Sequence, residues 1–339
     1  MAAFPEGTPC WVDAALPDVE AGRRFYGELF GWTFREGESG RTGRRAGGRT
    51  GGRIDAFSDG LLVAALAPKR DGRMPTVWGV YLAADDAAAL TGAIGRAGGR
   101  VIVPPTAAGG VGTVAMVADP GGAVFGLWQA GERAGFGKRG MPGSFCWAEL
   151  YTWDKSRADP FYATVFGFGA TDPLLDRDPA EPPPDRDPAE QSGGAPAGGG
   201  PAEGGPPATG TPTAPQAPAV DASNAYFQGV PDIRWWSPRG TEPGDRTAVA
   251  GRRVLTDAFP AELPDHFLVY FCVKDCDATV ATAVRLGGRV QAPPYDIPPG
   301  RIAVLTDNQG ATFAVLAEPT APGTGAGAEP DRGSMSESG

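Results

Sequence analysis

Two rhythms of apolar and polar positions alternate along this chain. Residues 10–16 (CWVDAAL) make a short apolar run interrupted only by Asp13, read as a strand. Pro17-Asp18 breaks that run, and Val19, Phe25, Tyr26, Leu29 and Phe30 then follow at helical spacing. Asp18 is placed to cap the free N–H groups of this helix, and Gly31 to end it in a left-handed turn. Strands are predicted at 32–35, 54–58 and 61–67, the last two joined by the hairpin signal Asp59-Gly60. The pattern then restarts: strand 77–83, helix 86–97 closed by Gly98-Gly99, strand 100–103, and strands 113–118 and 123–129 across Asp119-Pro120-Gly121-Gly122.

The whole series recurs. TPCWVDAALPDVEAGRRFYGELFGWTF (8–34) returns 136 positions later as GSFCWAELYTWDKSRADPFYATVFGFG. Cys10, Trp11, Asp13, Asp18, Phe25, Tyr26, Phe30 and Gly31 align with Cys146, Trp147, Glu149, Asp154, Phe161, Tyr162, Phe166 and Gly167. VYLAADDAAALTGAIGRAGGRVIVPP (80–105) answers to VYFCVKDCDATVATAVRLGGRVQAPP (269–294), and ADPGGAVFGLWQA (118–130) to TDNQGATFAVLAE (306–318). Each copy must therefore be one self-similar folding unit made of two βαβββ halves, four in all. The second copy is predicted to run through strand 145–152, helix 154–166, strands near 224–228 and 247–255, strand 266–273, helix 275–286, and strands 289–292, 301–306 and 311–317. The expected fold class is α+β, with domains at 5–130 and 144–318 and a linker at 131–143.

Residues 172–220 interrupt the second copy with Pro, Gly, Ala, Asp and Glu, including DRDPAE at 176–181 and again at 185–190. Too few apolar residues are present to offset the entropy of ordering, so disorder is predicted there and over 319–339. The first copy has a Gly/Arg stretch at the matching place (40–53), which reads as a solvated loop.

Composition narrows the partners. A formal charge of −10 argues against nucleic acid, and no apolar run is long enough for a membrane span. The opening MAAFPEGTPC lacks the basic and apolar regions of a secretory signal, and the four cysteines read as buried thiols in a reducing cytosol; the expected location is cytoplasmic.

Tandem βαβββ units with "FY…LFGW" helix ends and a "DPxG" hairpin before the last strand resemble the vicinal oxygen chelate superfamily, which includes glyoxalase I, extradiol dioxygenases, fosfomycin-resistance enzymes and bleomycin-binding proteins. The tandem form with Cys-Trp in each first strand is similar to two-domain bacterial auxiliaries of antibiotic biosynthesis, often labelled hydroxylases. The resemblance implies two tandem domains with cupped mixed sheets. It also implies metal ligands, a His or Gln in the first strand of each unit and a Glu in the last. Those positions fall here on Trp11 and Trp147, and on Gly126 and Ala314. None of these side chains ligates a divalent ion. The single histidine, His266, cannot build a metal site alone and reads as a capped or solvated strand-edge residue. Neither a metal nor any other cofactor is predicted.

An aromatic-lined cleft remains. Asp13 and Glu149 sit two residues after the tryptophans, on the same strand face. They read either as cleft acids, able to act as a general base or bind a ligand, or as partners of backbone groups or an arginine between the copies. Trp11, Trp147, Trp78, Tyr81, Phe267, Tyr270 and Trp128 are the candidate ligand-binding residues, though aromatic residues also suit a plain sheet core. Trp235-Trp236 fall in an irregular stretch, one of them predicted as a lid contact or an exposed patch. The first expectation is a metal-free protein binding a hydrophobic, oxygen-rich small molecule, an antibiotic or its precursor. The alternatives are a metal-independent enzyme or oxygenase accessory using Asp13 or Glu149 as acid–base, and a protein-interaction module. Fusion of two copies supplies an internal pseudo-dimer, so a monomer is expected.

Overall fold

A computed structural model describes residues 4–37, 53–69, 71–173, 232–297 and 300–318. The strand predicted at 224–228, most of the Gly/Arg stretch, nearly all of the interrupting segment and the tail lie outside the described residues.

Each copy forms one eight-stranded mixed sheet. The first comprises β1 (Pro9–Leu16), β2 (Thr33–Glu36), β3 (Ile54–Ser58), β4 (Leu61–Pro68), β5 (Trp78–Ala83), β6 (Arg100–Ala107), β7 (Gly112–Ala118) and β8 (Val124–Ala130), in the order β2-β3-β4-β1-β5-β8-β7-β6. The second repeats that order with β9 (Ser144–Thr152), β10 (Gly169–Thr171), β11 (Ile233–Ser237), β12 (Ala250–Val254), β13 (His266–Cys272), β14 (Arg289–Ile297), β15 (Gly300–Thr306) and β16 (Thr312–Ala317). Four helices follow the first strands of the units: α1 (Val19–Phe30), α2 (Ala87–Arg96), α3 (Lys155–Phe166) and α4 (Cys276–Arg285). The architecture is thus the expected α+β pair of cupped domains. No helix among the described residues is long and apolar enough to cross a membrane.

Local chemistry fixes the helix ends. Asp18, Asp86, Asp154 and Asp275 each accept a backbone N–H in the first turn of the helix they precede. Gly31 and Gly167 end α1 and α3 at φ 70° and 65°, where a Cβ would be strained.

The outer face of each sheet packs against the other copy, and the lock is reciprocal. Tyr26 of α1 donates its hydroxyl to Asp307 (2.8 Å) in the last hairpin of the second copy, and Tyr162 of α3 donates to Asp119 (3.2 Å) in the last hairpin of the first. The other oxygen of each aspartate accepts two backbone N–H groups of its own turn. Rings surround each tyrosine in matching fashion: Phe30, Trp32, Trp78 and Phe313 around Tyr26, and Phe166, Phe168, Phe267 and Phe125 around Tyr162. The "FY…LFGW" and "DPxG" signatures are therefore interface residues.

One expectation is corrected here. Trp235-Trp236 are not in irregular chain but in β11, and alternation sends them to opposite faces. Trp236 stacks on Tyr162 at 4.5 Å in the interface, while Trp235 meets Trp147 on the concave side. Within the linker, Phe136 is buried and stacks on Phe145 at 4.9 Å.

Candidate functional site: two aromatic cups

In β1, alternation sends Cys10, Val12, Ala14 and Leu16 to the interface side and leaves Trp11 and Asp13 on the concave face. Tyr81 of β5 pairs with Trp11 and donates its hydroxyl to both oxygens of Asp13 at 3.1 Å. Arg53 Nη1 completes the trio, 2.8 Å from Asp13 Oδ2. A second ion pair adjoins it: Arg133 of the linker forks onto Asp55 at 2.7 and 3.2 Å. Both guanidinium carbons lie 5.6 Å from the Trp11 ring.

Burial drives the electrostatics. It raises the Asp13 carboxyl above its ordinary value, against the pull of Arg53 and the Tyr81 hydroxyl. Burial also opposes the charge on Arg53, but Asp13, Tyr81 and Asp55 outweigh it and hold that guanidinium protonated. Tyr81 is pushed up by burial and by the charge of Asp13. The Trp11 indole is fully buried, and its N–H has no acceptor among the described residues.

The second cup repeats the trio. Tyr270 donates to Glu149 Oε2 at 2.9 Å, and Arg253 Nε reaches the same oxygen at 3.3 Å. The hydroxyls of Tyr151 and Tyr270 are 3.4 Å apart. Burial raises Tyr270 well above the usual phenol range, aided by the Glu149 charge. His266 stacks on Tyr151 at 5.3 Å, with Nδ1 2.9 Å from the Pro264 carbonyl. Trp147 and Trp235 meet edge to face at 5.8 Å, in space that Gly251 leaves open. Leu255, Phe259, Leu268, Ala292 and Val304 form the apolar floor.

The arginine of each trio reaches its acid from a different strand. Glu149 pairs with Gly251, so Arg253 lies two residues along β12, directly opposite Ile233. In the first copy the β4 position matching Arg253 is Ala67, and Arg53 enters from just before β3, where the second copy has Ile233. The two copies thus reach one arrangement by exchanging arginine and apolar residue across neighbouring strands.

Of the candidate residues, Trp11, Asp13, Tyr81 and Trp128 lie on the first cup's face, and Trp147, Glu149 and Tyr270 on the second's. Trp78 and Phe267 do not. Trp78 donates to the Tyr26 hydroxyl (2.9 Å), and Phe267 packs on Phe125 (5.8 Å), both in the interface. The reason is parity: each lies three residues before its tyrosine, and odd spacing along a strand reverses the face. His266, read as a capped or solvated strand-edge residue, opens β13 with Nδ1 held at the Pro264 carbonyl, and its ring faces the second cup against Tyr151. Arg53, read as part of a solvated loop, points into the first.

The positions implied as metal ligands do not fit a divalent ion. Indoles stand at two of them, and Ala314 at a third has no donor atom. At the fourth, a Cβ on Gly126 would lie 2.0 Å from the Tyr81 ring, so the tyrosine fills the space a ligating side chain would need. Among the described residues no three His, Cys, Asp or Glu side chains are grouped to hold a metal.

Comparison with known proteins agrees with this architecture. The profile of the Glyoxalase/Bleomycin resistance protein/Dioxygenase superfamily matches residues 11–127. The chain is 35% identical over 330 residues to the anthracycline biosynthesis protein DnrV of Streptomyces peucetius, covering 93% of this chain and 95% of that one. DauV of Streptomyces sp. (strain C5), also named as an anthracycline biosynthesis protein, matches to the same extent. Among solved structures, the Mn(II)-bound glyoxalase from Novosphingobium aromaticivorans superposes with a TM-score of 0.52 at 15% identity, covering 93% of this chain and 83% of that one. The halotolerant catechol dioxygenase BphC gives 0.51 at 11%, covering 92% and 87%.

Proposed function

The chain belongs to the glyoxalase/bleomycin resistance/dioxygenase superfamily, and from that premise we propose that it binds a flat, oxygen-rich aromatic molecule in a cup that uses no metal. The observation that carries this reading is the acid–tyrosine–arginine trio set against a tryptophan in each copy, at the positions where metal ligands would stand. An indole wall holds a planar ring by stacking, worth about 0.5–1.5 kcal/mol beyond the area buried. Guanidinium and phenol hydroxyl beside it meet quinone or phenol oxygens. Two similar proteins are named for anthracycline biosynthesis, and polycyclic quinones of that class have both features. Each carboxylate already accepts hydrogen bonds from a tyrosine and an arginine, which favours a fixed recognition group over a proton-transferring base.

Titration with 1,4-dihydroxyanthraquinone is expected to quench tryptophan fluorescence to saturation, equally before and after treatment with chelator. A flat titration across planar quinones rejects the binding reading. A stoichiometric transition metal in the purified protein rejects its metal-free part.

A further inference from the structure

We infer that Cys146 and Cys272 form a redox-active dithiol, which closes to a disulfide between β9 and β13 by exchange with a low-molecular-weight disulfide. The two residues sit on neighbouring antiparallel strands. Tyr270 is opposite Trp147 and Phe271 opposite Phe145, so Cys146 is the extra residue of a bulge. Cys272 follows one position on, opposite Ser144. Alternation from Tyr270 puts Cys272 on the concave face. Cys146 packs on that side too, with Trp147, against the cluster that contains Tyr270. Paired strands lie about 4.7–4.9 Å apart and a disulfide joins Cα atoms about 4.4–6.8 Å apart, so two cysteines on one face at this offset are within bonding reach. The first copy serves as a control. It has the same bulge, with Trp11 opposite Tyr81, Pro9 opposite Leu82 and Cys10 between them. Ala83 stands there where the second copy has Cys272, so the shared fold does not require the pair.

The surroundings divide the roles. The Cys146 S–H, with the Lys138 ammonium in support, holds the Cys272 thiol below its ordinary value, against burial and the Glu318 charge. Burial raises Cys146 well above that value, and Cys272 beside it adds to the rise. Cys272 is therefore the thiol that ionises first. Its thiolate attacks one sulfur of the incoming disulfide and expels the other half as a thiolate. Cys146 then attacks Cys272 in the mixed disulfide and displaces the second half. The protons of both cysteines end on the two released thiols. Two protein thiols are oxidised, one small disulfide is reduced, and no further electron acceptor is involved. Cys10 and Cys276, both buried and with thiols raised to about 12, stand outside this chemistry.

The test is to incubate the full-length protein with excess glutathione disulfide under native conditions, then unfold it, alkylate it and measure its intact mass. The expected result is the loss of two hydrogens, with two of the four thiols left to alkylate. Trypsin places the four cysteines on separate peptides, and without reductant the new link should join 140–155 to 254–274. Cys146→Ser should instead retain one glutathione on Cys272, because no second thiol is left to expel it. Cys272→Ser should keep its remaining thiols free. Four free thiols in the parent, a link that includes Cys10 or Cys276, or a link that forms only in urea overturns the pairing, with no variant needed. Glutathione retained on Cys146 in Cys272→Ser, and absent from Cys272 in Cys146→Ser, overturns the assignment of Cys272 as the attacking thiol.

Discussion

His266 is the only histidine in the chain, so its ring can be followed without ambiguity. Burial against Tyr151 pulls its pKa below the ordinary value of 6.5, with the Pro264 carbonyl and the Asp265 charge opposing. A histidine depressed in the folded state contributes stability that is present above its unfolded value and lost as pH falls through the folded one. An NMR titration should therefore place the His266 midpoint below 6.5, and His266→Gln should change the pH dependence of melting only on the acid side of that value. A midpoint at or above 6.5 would mean the ring is solvated. Cysteine chemistry belongs to the same scale. Burial pushes the Cys10 and Cys276 thiols up to about 12, which leaves them unreactive toward alkylating agents at neutral pH.

At the scale of elements, the two tyrosine–aspartate bonds join helices of one copy to hairpins of the other. Tyr26→Phe and Tyr162→Phe should each cost about 1–3 kcal/mol in urea unfolding, since each leaves a buried carboxylate oxygen short of a donor. Tyr26→Phe should be the costlier, because Trp78 also loses its acceptor. The double variant should show additive losses within about 0.5 kcal/mol, the two sites sharing no partner. Strong coupling between them would contradict that independence. The elements themselves were legible in the sequence: helix periodicity, aspartate caps, Gly31 and Asp59-Gly60 each act over a few residues. The cups were legible only in part. Trp11, Asp13, Tyr81 and their repeats follow from position along one strand, but Arg53, Arg133 and Arg253 arrive through strand order and the path of the linker. Trp235 was hidden for a related reason. Its strand follows a long insertion, and two adjacent tryptophans make sense only once alternation between interface and cup is known.

For the whole molecule, the interface fills the outer faces of both sheets with aromatic residues contributed by each copy. Residues 1–130 and 144–339, produced as separate chains, should each expose this face and be prone to aggregate, and should form a one-to-one complex when refolded together. The intact chain is expected to sediment as a monomer, since its pairing surface is already used. Two halves that remain soluble, monomeric and cooperatively folded alone would show that the interface is dispensable.

The reciprocal tyrosine–aspartate lock also bears on how such a molecule can change. Both copies must keep matching outer faces, because an altered ring on one side meets a fixed ring on the other. The cups lie on the opposite faces and share no residues. One concave surface can thus be rebuilt while the other is left alone, and an engineer could reshape the face around Trp147 without disturbing the Asp55–Arg133 pair of its neighbour.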